Sequence, residues 1–472
     1  MKRALSLDVL RGLSIFGMVL SGTIPFGGGL PAWMFHAQCP PPTYVFNPEV
    51  AGITWVDLVL PFFIFCMGVA IPLALNRKII NGDSFKEIGT LVFTRFFSLV
   101  FFAIYIIHIL PDSIGKGFWN IDLFGQKVQG YDLQLLTLVG FALMFPMFRI
   151  IKDKKRRIFW RIIGWGGALV LLLLFRFVYG QVFSLHRSDI IIVLLANVYL
   201  LAALGWYFTR NSWLSRFALF GFFAAVQLSC KYTGFNEVID SFEPVSWFFI
   251  FRMTHYMLLI IPATVVGDLL LKRLQSPTET IVKSSDVKWQ IVFHVGLALL
   301  VVWLTIALFQ QWLMILYVTV PLLLLGFFLI MKKYFPEYKQ LFLLAAYLIV
   351  IGLIIEPVEG GIKKDDVTAS YMLITSGMAL CMLMFFDYIC QIFEQSAFVK
   401  LFAKAGSNPL LIYVVTSWFM FPFLKASFSI GIYDWFYPSG YPWVGVVRAL
   451  VFVLGMMVLV YWSVKRKIIW RA

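Results

Sequence analysis

Few residues in this chain have types and spacings that bear on chemistry, and most of them stand where an ionisable group is expensive to keep. Asp8 and Arg11 in "SLDVLRG" lie three apart, on one face of a helix where they can pair. They read either as an interfacial ion pair or as a site where a planar, permanently charged guanidinium grips a phosphate or carbonyl. His36 follows a triple glycine and the apolar "WMF" and precedes three prolines, a rigid setting that would bury and orient its imidazole. A solitary histidine is ordinarily structural, whereas an oriented imidazole can take a proton as a general base or act as a nucleophile. Asp57 in "GITWVDLVLPFF" can complete a capping box with Thr54, or serve a cavity lined by a helix that Pro61 and Pro72 make irregular. Asn408 in "AGSNPLLIY" opens a late apolar segment, as a plain N-cap or as part of a helix start that meets an anion. Arg95, Arg176, Arg252 and Asp268 also fall within apolar segments.

The elements that must position these residues follow from composition. The chain is 61% hydrophobic, 18% aromatic and 13% charged, against about 45–50% apolar and 25% charged for a soluble domain. Apolar runs of about 17 to 25 residues recur from end to end, the length a helix needs to cross a bilayer, and the period-2 alternation of a barrel is absent. The expectation is an all-α polytopic membrane protein with about 10–14 transmembrane helices, forming one domain over residues 1–472. Two of the expected spans are 247–271 and 407–424, and residues 26–52 form a loop between the first two spans.

The net charge of +15 is distributed by side. Basic runs such as "KDKKRR" (152–157) and "KRK" (465–467) cluster in connections on one side, which puts the N- and C-termini in the cytoplasm and the 26–52 loop on the outer face. The charge is therefore topological, and no nucleic-acid partner is expected. The outer loops are rich in Trp, Tyr, Phe, Asp and Glu, which suits an interfacial aromatic belt or a carbohydrate-binding surface. The five cysteines form no CxxC pair, so they read as packing residues rather than a metal site or disulfide framework. The basic, apolar N-terminus is interrupted by Asp8 and Arg11 and carries no A-x-A-like cleavage site, as expected of a retained first span. No hydrolase elbow, Walker loop, Rossmann glycine pattern or HExxH occurs. These observations leave a transporter or a membrane enzyme.

"LDVLRGLSIFGMVL", "FHA" at 35–37 and "GITWVDLVLPFFIFCMGVAI" at 52–71 together resemble the family of heparan-alpha-glucosaminide N-acetyltransferase and its bacterial relatives. "IKKDDVTASYMLITSGMAL" (362–380) and "AGSNPLLIYVV" (406–415) resemble that family's late spans more loosely. The LDxLRG element also resembles the membrane acyltransferases that act on polysaccharides, but those carry a His at the end of the first span, where this chain has Ser21 and Gly22. The resemblance implies an enzyme of a bacterial inner membrane that moves acetyl from cytoplasmic acetyl-CoA to the amino group of a glucosamine-type sugar on the outer face. His36 and Asp57 would be catalytic, and Asp8, Arg11 and Asn408 would hold the acyl donor, with no metal. The partners implied are the lipid bilayer, acetyl-CoA and an amino-sugar acceptor, with homodimer formation left open. The family's lysosomal member differs in having an Asn late in the first span and a large lumenal domain. A secondary transporter for a sugar or amino sugar is the alternative from another class, although its internal repeat is not found. An O-acetyltransferase acting on surface polysaccharide differs only in acceptor.

Overall fold

With no water in a hydrocarbon core, backbone amides must find partners within their own segment, and helices do this residue by residue. The computed structural model describes residues 4–27, 29–123, 125–275, 287–365, 367–436 and 440–470. Helices α1 (Leu5–Ser21), α2 (Trp55–Ile80) and α3 (Phe85–His108) are followed by the short α4 (Pro111–Ile114) and an antiparallel hairpin of β1 (Ile121–Leu123) and β2 (Gln126–Val128). Next come α5 (Tyr131–Phe148), α6 (Lys154–Phe177), α7 (Ile190–Thr209) and α8 (Trp213–Thr233), then two short helices, α9 (Phe235–Asp240) and α10 (Glu243–Ser246). The second half runs through α11 (Met257–Gln275), α12 (Val287–Phe309), α13 (Leu313–Tyr334), α14 (Lys339–Ile355) and α15 (Ala369–Ile392). It closes with α16 (Ala397–Gly406), α17 (Pro409–Val414), α18 (Phe421–Ala426), α19 (Ile430–Trp435) and α20 (Pro442–Lys465).

Among the described residues, twelve helices are long and apolar enough to cross a membrane. The 17-residue α1 falls just short in length, and α11 carries Asp268, Lys272 and Arg273. The fold is thus all-α and polytopic.

Two of the expected spans are irregular. Helix α11 begins only at Met257, because the Asp240 carboxylate accepts the N–H groups of Phe251 and Arg252 (2.5 and 3.4 Å) and holds residues 251–256 in 3-10 turns. The expected 407–424 span is α17 and α18 joined through a π-helical stretch, Val415–Met420. Pro422 near the start of α18 lacks the N–H that a regular helix would donate one turn back.

Helices α2 and α15 lie deepest, with α1 packed against α2, α15 and α16, while α8 and α13 present most of their surface outward. The crossing of α1 over α16 is close enough to need glycine on both sides. A Cβ on Gly12 would sit 2.1 Å from the Phe402 carbonyl oxygen, and one on Gly406 would sit 2.0 Å from that of Asp8.

The start of α1 and the tail after α20 meet at one end of the bundle. Ile150 N–H donates to the Ile469 carbonyl (3.0 Å), and Asn408, two residues after Gly406, binds the tail. The 22–54 loop, the β-hairpin, and the connections preceding α15 and α20 gather at the other end, where Gly52 N–H donates to Ile362 (2.8 Å) and Gly431 N–H to Gln126 Oε1 (3.3 Å).

Candidate active site

The loop between α1 and α2 folds as a plug. Ile24, Leu30, Met34 and Phe35 form an apolar cluster with Ala449 of α20, and the Phe35 ring meets Phe26 and Tyr44 edge-on at 5.0 and 5.3 Å. Tyr44 returns its hydroxyl to the Leu30 carbonyl (3.0 Å), and Asn47 N–H closes on Gln38 (2.7 Å). His36 sits between the buried Phe35 and Ala37, so the path of the backbone aims its side chain.

That path delivers His36 to Asp57. Imidazole Nδ1 lies 2.6 Å from Asp57 Oδ1, with the carboxylate fully buried and the histidine side chain 38% exposed. A carboxylate only accepts, so Nδ1 carries a hydrogen, and in the neutral ring Nε2 is left as the accepting nitrogen. The other carboxylate oxygen accepts the N–H groups of Thr54 (2.9 Å) and Ala37 (3.1 Å). Thr54 and Asp57 form the capping box of α2, and the Thr54 hydroxyl donates to the Phe35 carbonyl (2.6 Å), tying the cap to the residue before His36. Below the acid, the Tyr371 hydroxyl of α15 donates to the Asp57 carbonyl (2.5 Å). One carboxylate therefore both caps α2 and holds the imidazole. Cys39 offers no rival nucleophile, because burial and the Asp57 charge push its thiol up and disfavour the thiolate.

Asp57→Asn is expected to lower kcat of any reaction that uses Nε2 as the base by on the order of 10²-fold or more, since an amide nitrogen facing Nδ1 favours the opposite tautomer. Steady-state kinetics beside the parent chain provide the check. A parental kcat would remove Asp57 from the chemistry.

Asp8 and Arg11 do pair, and the Arg11 Nε also donates to the Gly406 carbonyl at the α1–α16 crossing. They lie apart from His36. Gly17 of α1 packs on Val59 of α2, so Arg11, six residues down α1, and Asp57, two residues up α2, are separated by about 12 Å along the axis at 1.5 Å per residue. Nearby, the Asp387 carboxylate accepts from Arg273 (3.0 Å), Tyr338 (2.5 Å) and Ser6 (3.5 Å).

Asn408 does not serve as the plain N-cap that its position suggests. It precedes α17 without capping it: its Nδ2 donates to the Ile468 carbonyl (3.1 Å) and its Oδ1 accepts Trp470 N–H (3.1 Å). The side-chain amide is bound to the tail. Asn408→Ala is expected to cost about 1–3 kcal/mol and to free residues after Lys465, read as faster trypsin cleavage at Arg466 and Lys467.

Of the remaining candidates, Asp268 is paired with Arg216 (3.0 Å), which also meets Thr209 and Thr264, and Arg95 lies over the Tyr199 ring at 4.5 Å. Such contacts account for charge inside the bundle without a ligand.

Sequence reasoning missed Lys364, whose Nζ lies 3.1 Å from Nδ1 and 3.3 Å from Nε2 of His36. It also missed Tyr371 and the Arg273–Tyr338–Asp387 group. A signal for Lys364 was present, because the orientation expected from the sequence puts the two lysines of "IKKDD" on the side where basic residues are disfavoured.

A buried acid–histidine pair at one end of the bundle and an Asp–Arg pair about 12 Å away define a polytopic integral membrane protein with a built polar site. The chain belongs to the family described as a domain of unknown function (DUF5009), which matches residues 3–270, more than half of the 472 residues. That match contains His36, Asp57, Asp8 and Arg11, whereas Lys364 and Asn408 lie beyond it. A search of curated proteins returned no match.

Proposed function

We propose that this protein is a membrane-embedded acetyltransferase that moves acetyl from acetyl-CoA to the amino group of a glucosamine-type sugar. The observation that carries the reading is the His36 imidazole, held through Nδ1 by a buried carboxylate while the side chain stays 38% exposed. An amine attacks a thioester only as the free base, and a positioned imidazole that takes its proton during attack contributes about 10²–10⁴-fold. The acceptor amine hydrogen-bonds to Nε2, and Asp57 steadies the imidazolium that forms. The thioester approaches from the Asp8–Arg11 end, where Arg11 meets the phosphates of the donor, and the extended pantetheine arm spans the distance to His36. In this reading the termini are cytoplasmic in a bacterial inner membrane, and the His36 loop faces outward. Asn408, committed to the tail, supports the donor end without touching the donor.

The test uses the full chain in proteoliposomes with labelled acetyl-CoA and a panel of glucosamine-terminated saccharides. The expected product is a base-stable amide on the amino sugar. A product released by mild base would move the reaction to hydroxyl acceptors. Failure to acetylate any acceptor, together with CoA-independent counterflow of free sugar, would replace the enzyme reading with a transporter.

A further inference from the structure

The connection between α14 and α15 reaches across the mouth of the site and is held in register at several points. The Glu356 carboxylate accepts Ile362 N–H (3.2 Å), and the Ile362 carbonyl accepts Gly52 N–H (2.8 Å). Lys363 pairs with Glu49 of the His36 loop (2.8 Å), and Gly361 presses on Ala51, where a Cβ would approach to 2.3 Å. Further along, Glu359 accepts the first N–H groups of α15, those of Ala369 and Ser370 (both 2.8 Å). Neighbouring lysines therefore have separate tasks: Lys363 fastens the strap to the loop, and Lys364 is placed against the imidazole.

Lys364 Nζ lies 3.1 and 3.3 Å from the two ring nitrogens of His36. Nδ1 has its hydrogen on Asp57 and cannot accept, and an Nζ almost equidistant from the two nitrogens stands over the Cε1 side of the ring rather than along the Nε2 lone pair. The Nε2 lone pair is therefore open to an acceptor amine, with the ammonium standing beside it.

We propose that Lys364 is a catalytic residue, the cation that stabilises the negative charge developing on the acyl oxygen; this rests on the acetyl-transfer reading above. The amine nitrogen bonds to the thioester carbon, the C=O π electrons move onto oxygen beside Lys364 Nζ, and the amine proton passes to His36 Nε2. The oxyanion then re-forms C=O, the C–S bond breaks with its electron pair on sulfur, and the thiolate takes the proton from His36. An amide and free CoA thiol result, with no net change at either side chain. A fixed donor where charge develops exerts its full effect only in the transition state, which distinguishes Lys364 from a residue that merely shapes the strap.

The experiment compares the parent chain with Lys364→Met, Lys364→Arg and His36→Asn in proteoliposomes, measuring kcat, KM for acetyl-CoA and for the amino sugar, and the thermal midpoint of each. Lys364→Met is expected to lower kcat by about 10²–10³-fold with both KM values within a few-fold of the parent. Lys364→Arg, which keeps the charge, is expected to recover most of that loss, and this decides the matter if the Met variant does not fold. A parental kcat in Lys364→Met, or an Arg variant with parental melting and the full loss, overturns the assignment. If His36→Asn is inactive in that case, the acetyl-transfer reading still stands. Absence of transfer by the parent chain overturns both.

Discussion

Replacing His36 with asparagine is expected to lower kcat for acetyl transfer by about 10²–10⁴-fold while the protein still folds. The choice of substitution matters. Asn places an N–H near the position of Nδ1 and can still donate to Asp57, so the buried carboxylate keeps a partner, but it has nothing equivalent to Nε2. His36→Ala removes both, leaving Oδ1 of a fully buried carboxylate without its imidazole partner while Thr54 and Ala37 still serve Oδ2, and should lower stability as well by about 1–3 kcal/mol. Because His36 and Asp57 act as a unit, the His36→Asn, Asp57→Asn double variant should be scarcely less active than the worse single one. Additive losses would mean the two residues do not share a proton-transfer role, and full activity in His36→Asn would remove the imidazole from the mechanism.

The largest structural effect is expected at the α1–α16 crossing. Gly406→Val puts a branched side chain where even a Cβ would be 2.0 Å from the Asp8 carbonyl oxygen, with Gly12 N at 2.8 Å. The obstacle is backbone, so no rotamer change relieves it, and the helices must separate. The cost should reach or exceed the about 1–3 kcal/mol usual for overpacking. Separation also withdraws the Gly406 carbonyl from Arg11, so the Asp8–Arg11 pair should loosen with it. The measurement is the thermal midpoint and elution profile in detergent, beside Gly22→Ala, where a Cβ meets nothing closer than 3.8 Å. Equal midpoints in the two variants would contradict the close crossing.

Both predictions concern contacts that join distant parts of the chain. Within one turn of a helix, sequence was a sufficient guide. Asp8 and Arg11 pair because a helix brings residues three apart together, and Thr54 and Asp57 form a capping box because the first turn leaves its N–H groups without partners. The all-α class was legible for the same kind of reason, since an apolar run in lipid has to satisfy its own amides. Asn408 shows the limit of such reasoning. Its position at a helix start fits a cap or an anion site, yet its amide is taken by Ile468 and Trp470, some 60 residues on.

Residue type and spacing also singled out His36 and Asp57, but nothing local states that they touch. Their contact depends on a 21-residue separation closed by the plug of Phe35, Tyr44 and the Thr54 hydroxyl. Lys364 reaches the same imidazole from 328 residues away, through a strap fastened at Glu49 and Gly52. Hydrophobic pattern decides which segments enter the bilayer, whereas which helix stands beside which is decided by close packing such as Gly12 on Gly406. The chain's local pattern settled its class, the approximate number of its spans and two charged motifs, because those arise from hydrogen bonds made within a few residues. The assembly of His36, Asp57 and Lys364 into one site was settled by packing, because it depends on how distant segments fill the space between them.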